Sequence, residues 1–151
     1  YTIDKDTAQA TLVGPLGQSD VNGLTIAPDG TLYGGGNNGN LYLVDTATGA
    51  ATVVGPYGPG LTSSGDIVWG PLSAIYVADP NGAADQLLSV NPGTGQASVV
   101  GSIGYTGVYG LSFAKGSLYG FTSQGHILLI NASTGAGTIV GTFGVSWWGA
   151  S

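Results

Sequence analysis

Cysteine, methionine, glutamate and arginine are all absent from this chain, and of its 151 residues only two are lysine and one is histidine. Without cysteine there is no disulfide framework, no thiolate zinc site and no thiol redox chemistry. With Lys5 and Lys115 set against eight aspartates, the formal net charge is −6. That balance leaves no basic footprint for nucleic acid and no cationic face for an anionic membrane. No apolar run approaches the roughly 20 residues of a membrane-spanning helix, so no membrane insertion is expected. Three strong helix formers are missing and apolar residues do not recur at helical spacing, which argues against a helical fold. Catalysis is poorly served. The lone His126 has no Cys or Glu to partner it and reads as a structural residue on a strand. Ser/His/Asp chemistry needs a positioned serine and an oxyanion hole, and metal-assisted hydrolysis needs more ligands than one histidine and scattered aspartates. The chain reads as non-enzymatic. It opens on Tyr1 with no leader-like segment, as expected of a processed or excised piece.

What the chain does have is glycine, 29 residues of it, falling between short apolar runs at regular offsets. Periodic glycine of this kind marks many tight turns joining many short strands. Four segments align without gaps: DKDTAQATLVG from Asp4, DTATGAATVVG from Asp45, NPGTGQASVVG from Asn91 and NASTGAGTIVG from Asn131, with first residues 41, 46 and 40 apart. Each follows a short apolar strand: YTI, LYLV, LLSV or ILLI. A second set lies between them: GLTIAPDGTLYG from Gly23, DIVWGPLSAIYV from Asp66 and GLSFAKGSLYG from Gly110. Together they give four strands per unit, here named A to D, at a period of about forty residues, the sequence form of a propeller blade. The expected fold is all-β: a β-propeller of four-stranded antiparallel blades. The phase places a partial blade at 1–17, complete blades at 18–58, 59–104 and 105–144, and the start of a next blade at 145–151. A larger ring, or pairing with a second copy through open strand edges, would complete such a piece.

The turns have a mechanism. In D/N-x-x-T-G the Asp or Asn side chain can accept N–H groups two or three residues on, and the glycine takes the positive φ that closes the hairpin. Asp4, Asp6, Asp29 and Asp45 are therefore turn residues. Ala8 stands where the other units have Gly49, Gly95 and Gly135, which predicts a strained or differently closed first hairpin.

Alternating strands put the A–B and C–D turns on one face, with both lysines, and the longer D–A and B–C loops on the other. Loops held by a rigid sheet scaffold are where binding residues usually sit. The candidates on that second face are Asp20, Asn22, Asp66, Tyr105, Tyr109, Trp147 and Trp148. Asp20 and Asp66 lie at the start of strand A, where they either converge on a channel ion or polar ligand or cap loop N–H groups. Asn22, Tyr109 and Trp148 hold matched positions before strand A and either ring the channel mouth or wedge neighbouring blades. Tyr and Trp among Asn and Asp suit carbohydrate, which stacks on aromatic faces and hydrogen-bonds to carboxamides and carboxylates. Tyr33, Tyr76 and Tyr119, on strand B, are assigned to packing between blades. The loop DPNGAAD reads as an insertion of about five residues. In it Asp79, Asn81 and Asp85 offer oxygens at a spacing loosely like a calcium loop, with Gly82 for the turn but no bidentate Glu; an Asx-rich turn is the alternative.

The unit LYLVDTATGAATVVG, with GLTIAPDGTLYG and GLSFAKGSLYG, resembles the repeats of secreted bacterial propellers with units of the form LYxvDxxTGxatxvG. It is also distantly similar to quinoprotein-type repeats, which share the D/N-x-x-T-G turn; Gly55, Gly101 and Gly141 stand in or near the place of the tryptophan that ends those repeats. The resemblance implies an exported or surface-attached bacterial protein, hence an extracellular or cell-surface location. The reading that follows is a binding or assembly module whose partner is carbohydrate or another copy of itself. Two alternatives remain: part of a lactonase-like or quinoprotein-like ring with a metal or cofactor at the channel, and a structural repeat that self-assembles through open edges.

Overall fold

The computed structural model describes residues 1–149. Strands β1 (Thr2–Ile3) and β2 (Ala10–Thr11) form a two-stranded sheet. Three four-stranded sheets follow in chain order: β3 (Val21–Ile26) to β6 (Ala51–Pro56), β7 (Ile67–Trp69) to β10 (Ala97–Ser102), and β11 (Val108–Ala114) to β14 (Gly137–Thr142). Within each, strands pair antiparallel with their sequence neighbours. This is the expected all-β blade architecture; the sheets are numbered I to IV, with I the two-stranded half-blade. The one helical element among the described residues is a short 3-10 turn, Pro71–Ser73.

Each blade lies between neighbours, so strands need apolar residues on both faces. In blade III, with a four-stranded blade on either side, β8 (Ile75–Asp79) is buried at every residue. Half-blade I is exposed along both its strands. The inner strands β3, β7 and β11 surround a common channel, and Thr25 Oγ1 of β3 accepts the Trp69 N–H of β7 at 2.8 Å.

The joints between blades repeat. The first residue of each outer strand donates its N–H to the preceding blade: Ala51 to Leu16 O at 2.9 Å, Ala97 to Tyr57 O at 2.9 Å and Gly137 to Ile103 O at 3.0 Å. The D/N-x-x-T-G turn of one blade seats on the glycine ending the preceding outer strand, Thr48 on Gly14, Thr94 on Gly55 and Thr134 on Gly101. Near the axis, Tyr33 stacks on Trp69 (5.9 Å) and Tyr76 on Phe113 (6.4 Å) across the II–III and III–IV joints. Tyr119, the third of this set, has no ring partner of that kind among the described residues.

The turn residues act as their sequence predicts. Asp4 Oδ1 accepts the N–H groups of Asp6 and Thr7, Asp45 Oδ1 those of Ala47 and Thr48, and Asn131 Oδ1 those of Ser133 and Thr134. These backbone donors hold the Asp4 and Asp45 carboxyls below the usual range. Asp6 instead pairs with Lys5 at 2.8 Å. Ala8 closes its hairpin like Gly49, with the N–H of each on the turn aspartate's carbonyl at 2.7 Å, but at φ 57°. That is the left-handed region where a side chain is strained.

Two expectations need revision. The B–C loop of blade III has six residues, 80–85, against three in blades II and IV (37–39 and 123–125), so only three extra residues fall there. No strand forms among residues 143–149; the strand expected at 145–151 is absent as far as Gly149, and Ala150 and Ser151 lie outside the described residues. Instead Trp147 packs edge-on against Phe121 (5.7 Å) and Phe143 (6.2 Å) of blade IV.

Candidate functional site

The loop-rich face is laced together by its aspartates. Asp79, at the end of β8, is buried; its Oδ1 accepts the Thr62 N–H (2.7 Å) and hydroxyl (3.0 Å), and its Oδ2 accepts Gln86 Nε2 (2.8 Å). Asp85, also buried, turns to the other crossover, where its Oδ2 accepts the Val108 N–H at 2.7 Å. Its backbone binds the same loop, Asp85 N–H to Tyr105 O and Ile103 N–H to Asp85 O, both at 2.8 Å. Burial pushes the Asp85 carboxyl above its usual range; the Val108 N–H opposes this, and the nearby Asp79 charge adds to it. Asn81 is exposed and donates to Gln86 Oε1 at 3.3 Å. The oxygens proposed for calcium thus meet N–H and O–H donors of the protein. Among the described residues no group of three or more His or Asp side chains is placed to hold a metal ion. Asp20 Oδ2 accepts Asn38 Nδ2 at 3.1 Å while its carbonyl accepts the Asn37 N–H, another tie between crossover and B–C turn.

Four of the sequence candidates come together at the channel mouth. Asn22, Asp66, Tyr109 and Trp148 line one open cleft with Leu16 and Leu24. The Tyr109 and Trp148 rings stack at 5.0 Å and 20°, and Trp148 is 73% exposed. Asn22 donates to Ser63 O across the II–III joint at 3.2 Å. Asp66 accepts the Ile67 N–H at 2.9 Å and that of Leu111 at 3.5 Å. The structural arrangement keeps both earlier options in play for Asp66, which caps backbone donors at the channel mouth. Tyr105 stands apart, half-buried against the III–IV core, its ring 6.3 Å from His126. Trp147 is half-buried on blade IV, its indole N–H enclosed without a partner. Tyr57, which its loop placed among the surface aromatics, is core; burial pushes its phenol well above the usual range.

One feature escaped the sequence reading. An apolar groove runs between half-blade I and blade II, lined by Leu12, Leu16, Leu24, Leu32 and Val44. The signal was present: nothing resembling an A–B pair precedes the YTI strand.

No family model matches the chain, and no curated protein matches it. Solved structures resemble it at low identity. The PQQ-bound aldose sugar dehydrogenase of Streptomyces coelicolor superposes with a TM-score of 0.64 at 19% identity over 81% of this chain. A structure of the nidogen/laminin complex gives 0.64 at 16% over 83%, and the computationally designed Ika4 protein 0.58 at 16% over 93%. This chain spans 47% of the dehydrogenase chain, 49% of the nidogen/laminin chain and 86% of Ika4. At these identities the likeness concerns the fold. A carboxylate-bearing quinone such as PQQ does not fit the residues at this mouth. The chain's two cations, Lys5 and Lys115, sit on the opposite turn face, and the mouth carries the carboxylate of Asp66.

Proposed function

We propose that this chain is a non-enzymatic binding module of an exported or surface-attached protein, and that it holds carbohydrate at the channel mouth. The observation that carries this reading is the Tyr109–Trp148 stack, with Trp148 73% exposed, in one cleft with Asn22 and Asp66. A sugar ring lays its C–H face on an indole, which is large, rigid and apolar. Its hydroxyls pair with carboxamide and carboxylate oxygens, which accept hydrogen bonds from any orientation around the ring. The site lies on a rigid sheet scaffold, so little ordering entropy is lost on binding.

Calorimetric titration of soluble cello-, xylo-, manno- and chito-oligosaccharides tests this. At least one is expected to bind saturably, with Trp148→Ala weakening it roughly tenfold or more, the cost of one stacking partner. Thr46→Ala, on the opposite turn face, is expected to leave binding unchanged. A flat response to the whole panel, or equal affinity in Trp148→Ala, contradicts the proposal.

A further inference from the structure

Matched positions on the three inner strands differ sharply in exposure. Leu24 of β3 is 51% exposed, whereas Ile67 of β7 and Leu111 of β11 are 2% and 1% exposed. All three hold one register, opposite Gly34, Val77 and Gly120 of the neighbouring strand. The joints inside the chain show what covers such a residue. Ile67 lies over Gly35, where even a Cβ would run into its Cγ2. Leu111 packs in one cluster with Ala78. One position further, Tyr33 covers Trp69 and Tyr76 covers Phe113. The cover is therefore a strand-B segment of the form Tyr-x-Gly or Tyr-x-Ala from the preceding blade.

We infer that the groove over Leu24 and Ile26 is a docking slot for the A–B β-hairpin of a further repeat, whose second strand carries Tyr-x-Gly or Tyr-x-Ala. The tyrosine lies over Ile26 and the small residue over Leu24. The hairpin's second strand pairs with the outer edge of β1, which has only β2 as a neighbour, adding main-chain hydrogen bonds to apolar burial.

The chain's own trailing blade does not fit the slot. Phe121 stands where Gly35 and Ala78 stand in blades II and III, and Trp147 already packs on it. The other face of half-blade I is also ill-suited to a tightly packed predecessor. A Cβ at Gly49 would lie 2.8 Å from Gly14 O, and Gly95 and Gly135 are as close or closer to the preceding glycine carbonyl. Ala8 carries that Cβ. The partner is thus a repeat with a small residue in this position, not blade IV of a second copy.

Two synthetic hairpins separate these cases: one copying residues 22–36, with Tyr33 and Gly35, and one copying residues 109–122, with Tyr119 and Phe121. Each is titrated to millimolar into the isotopically labelled chain and followed by NMR. The first is expected to shift the resonances of Leu24, Ile26 and Leu32 saturably, the second at least tenfold more weakly. Leu24→Asp, at an exposed position, is expected to fold and to abolish the shifts. Equal binding of both hairpins, no shift with the first, binding retained in Leu24→Asp, or a dimer by light scattering that buries Leu24 against blade IV would each overturn the inference.

Discussion

The II–III and III–IV joints are near copies of one another, whereas the joint between half-blade I and blade II is built only in its outer part. There the Leu16 carbonyl and the Gly14–Thr48 seat repeat the internal pattern, but the inner residues Leu24 and Ile26 stay exposed. The comparison separates two sources of cohesion. Backbone seating of turn on glycine fixes the spacing between blades and needs no large side chain. Burial of the inner apolar residue supplies most of the hydrophobic gain, and it needs a complete preceding blade.

The sharpest way to break this contrast is at the seating glycines. Gly95 has φ 76° and faces the Gly55 carbonyl too closely for a Cβ, so Gly95→Ala adds left-handed strain to a backbone clash. A loss of about 3 kcal/mol or more is expected in chemical denaturation. The matched change at the open seam runs the other way: Ala8→Gly relieves strain with no neighbour to meet and is expected to stabilise by about 1 kcal/mol. Similar losses at Gly95 and elsewhere on exposed turns would show that seating does not control blade spacing.

A smaller effect sharpens the role of the buried aspartates. Because the Asp85 carboxyl is pushed up by burial, folding favours its protonated form. Its contribution is therefore most favourable below the unfolded value and declines as pH rises through the raised folded value. Asp85→Asn keeps an oxygen for the Val108 N–H and removes the ionisation. Its melting midpoint relative to wild type is expected to climb between pH 3 and pH 7. A flat or falling difference would mean that the carboxylate is favourably paired in the fold. The exposed Asp4, Asp29 and Asp45, whose carboxyls backbone donors hold down, act in the opposite sense, losing their contribution as pH falls.

Much of the blade architecture was legible because its causes are local. The aspartate and glycine of D/N-x-x-T-G write each hairpin into five residues, and the apolar runs on either side set the strands. Which turn residues seat on a neighbour is not local: Gly49 and Ala8 close the same turn, and only the facing Gly14 explains why glycine is kept in one of them. Asp79 and Asp85 misled for a related reason. Their spacing resembles a cation loop, but the donors that occupy them, Thr62 and Val108, come from crossovers 17 and 23 residues away. Asn22, Tyr109 and Trp148 could be matched from the repeat phase alone, whereas the half-burial of Trp147 on Phe121 depends on a chain path that the matching of WWGAS to strand A did not foresee.

The account rests on Leu24 being the uncovered counterpart of Leu111, and paired denaturation of Leu24→Ala and Leu111→Ala tests this most directly. Removing the buried Leu111 side chain is expected to cost about 2–5 kcal/mol, and removing the half-exposed Leu24 under about 1 kcal/mol. Equal losses in the isolated chain would mean that the inner face of blade II is already covered, and would contradict the open joint.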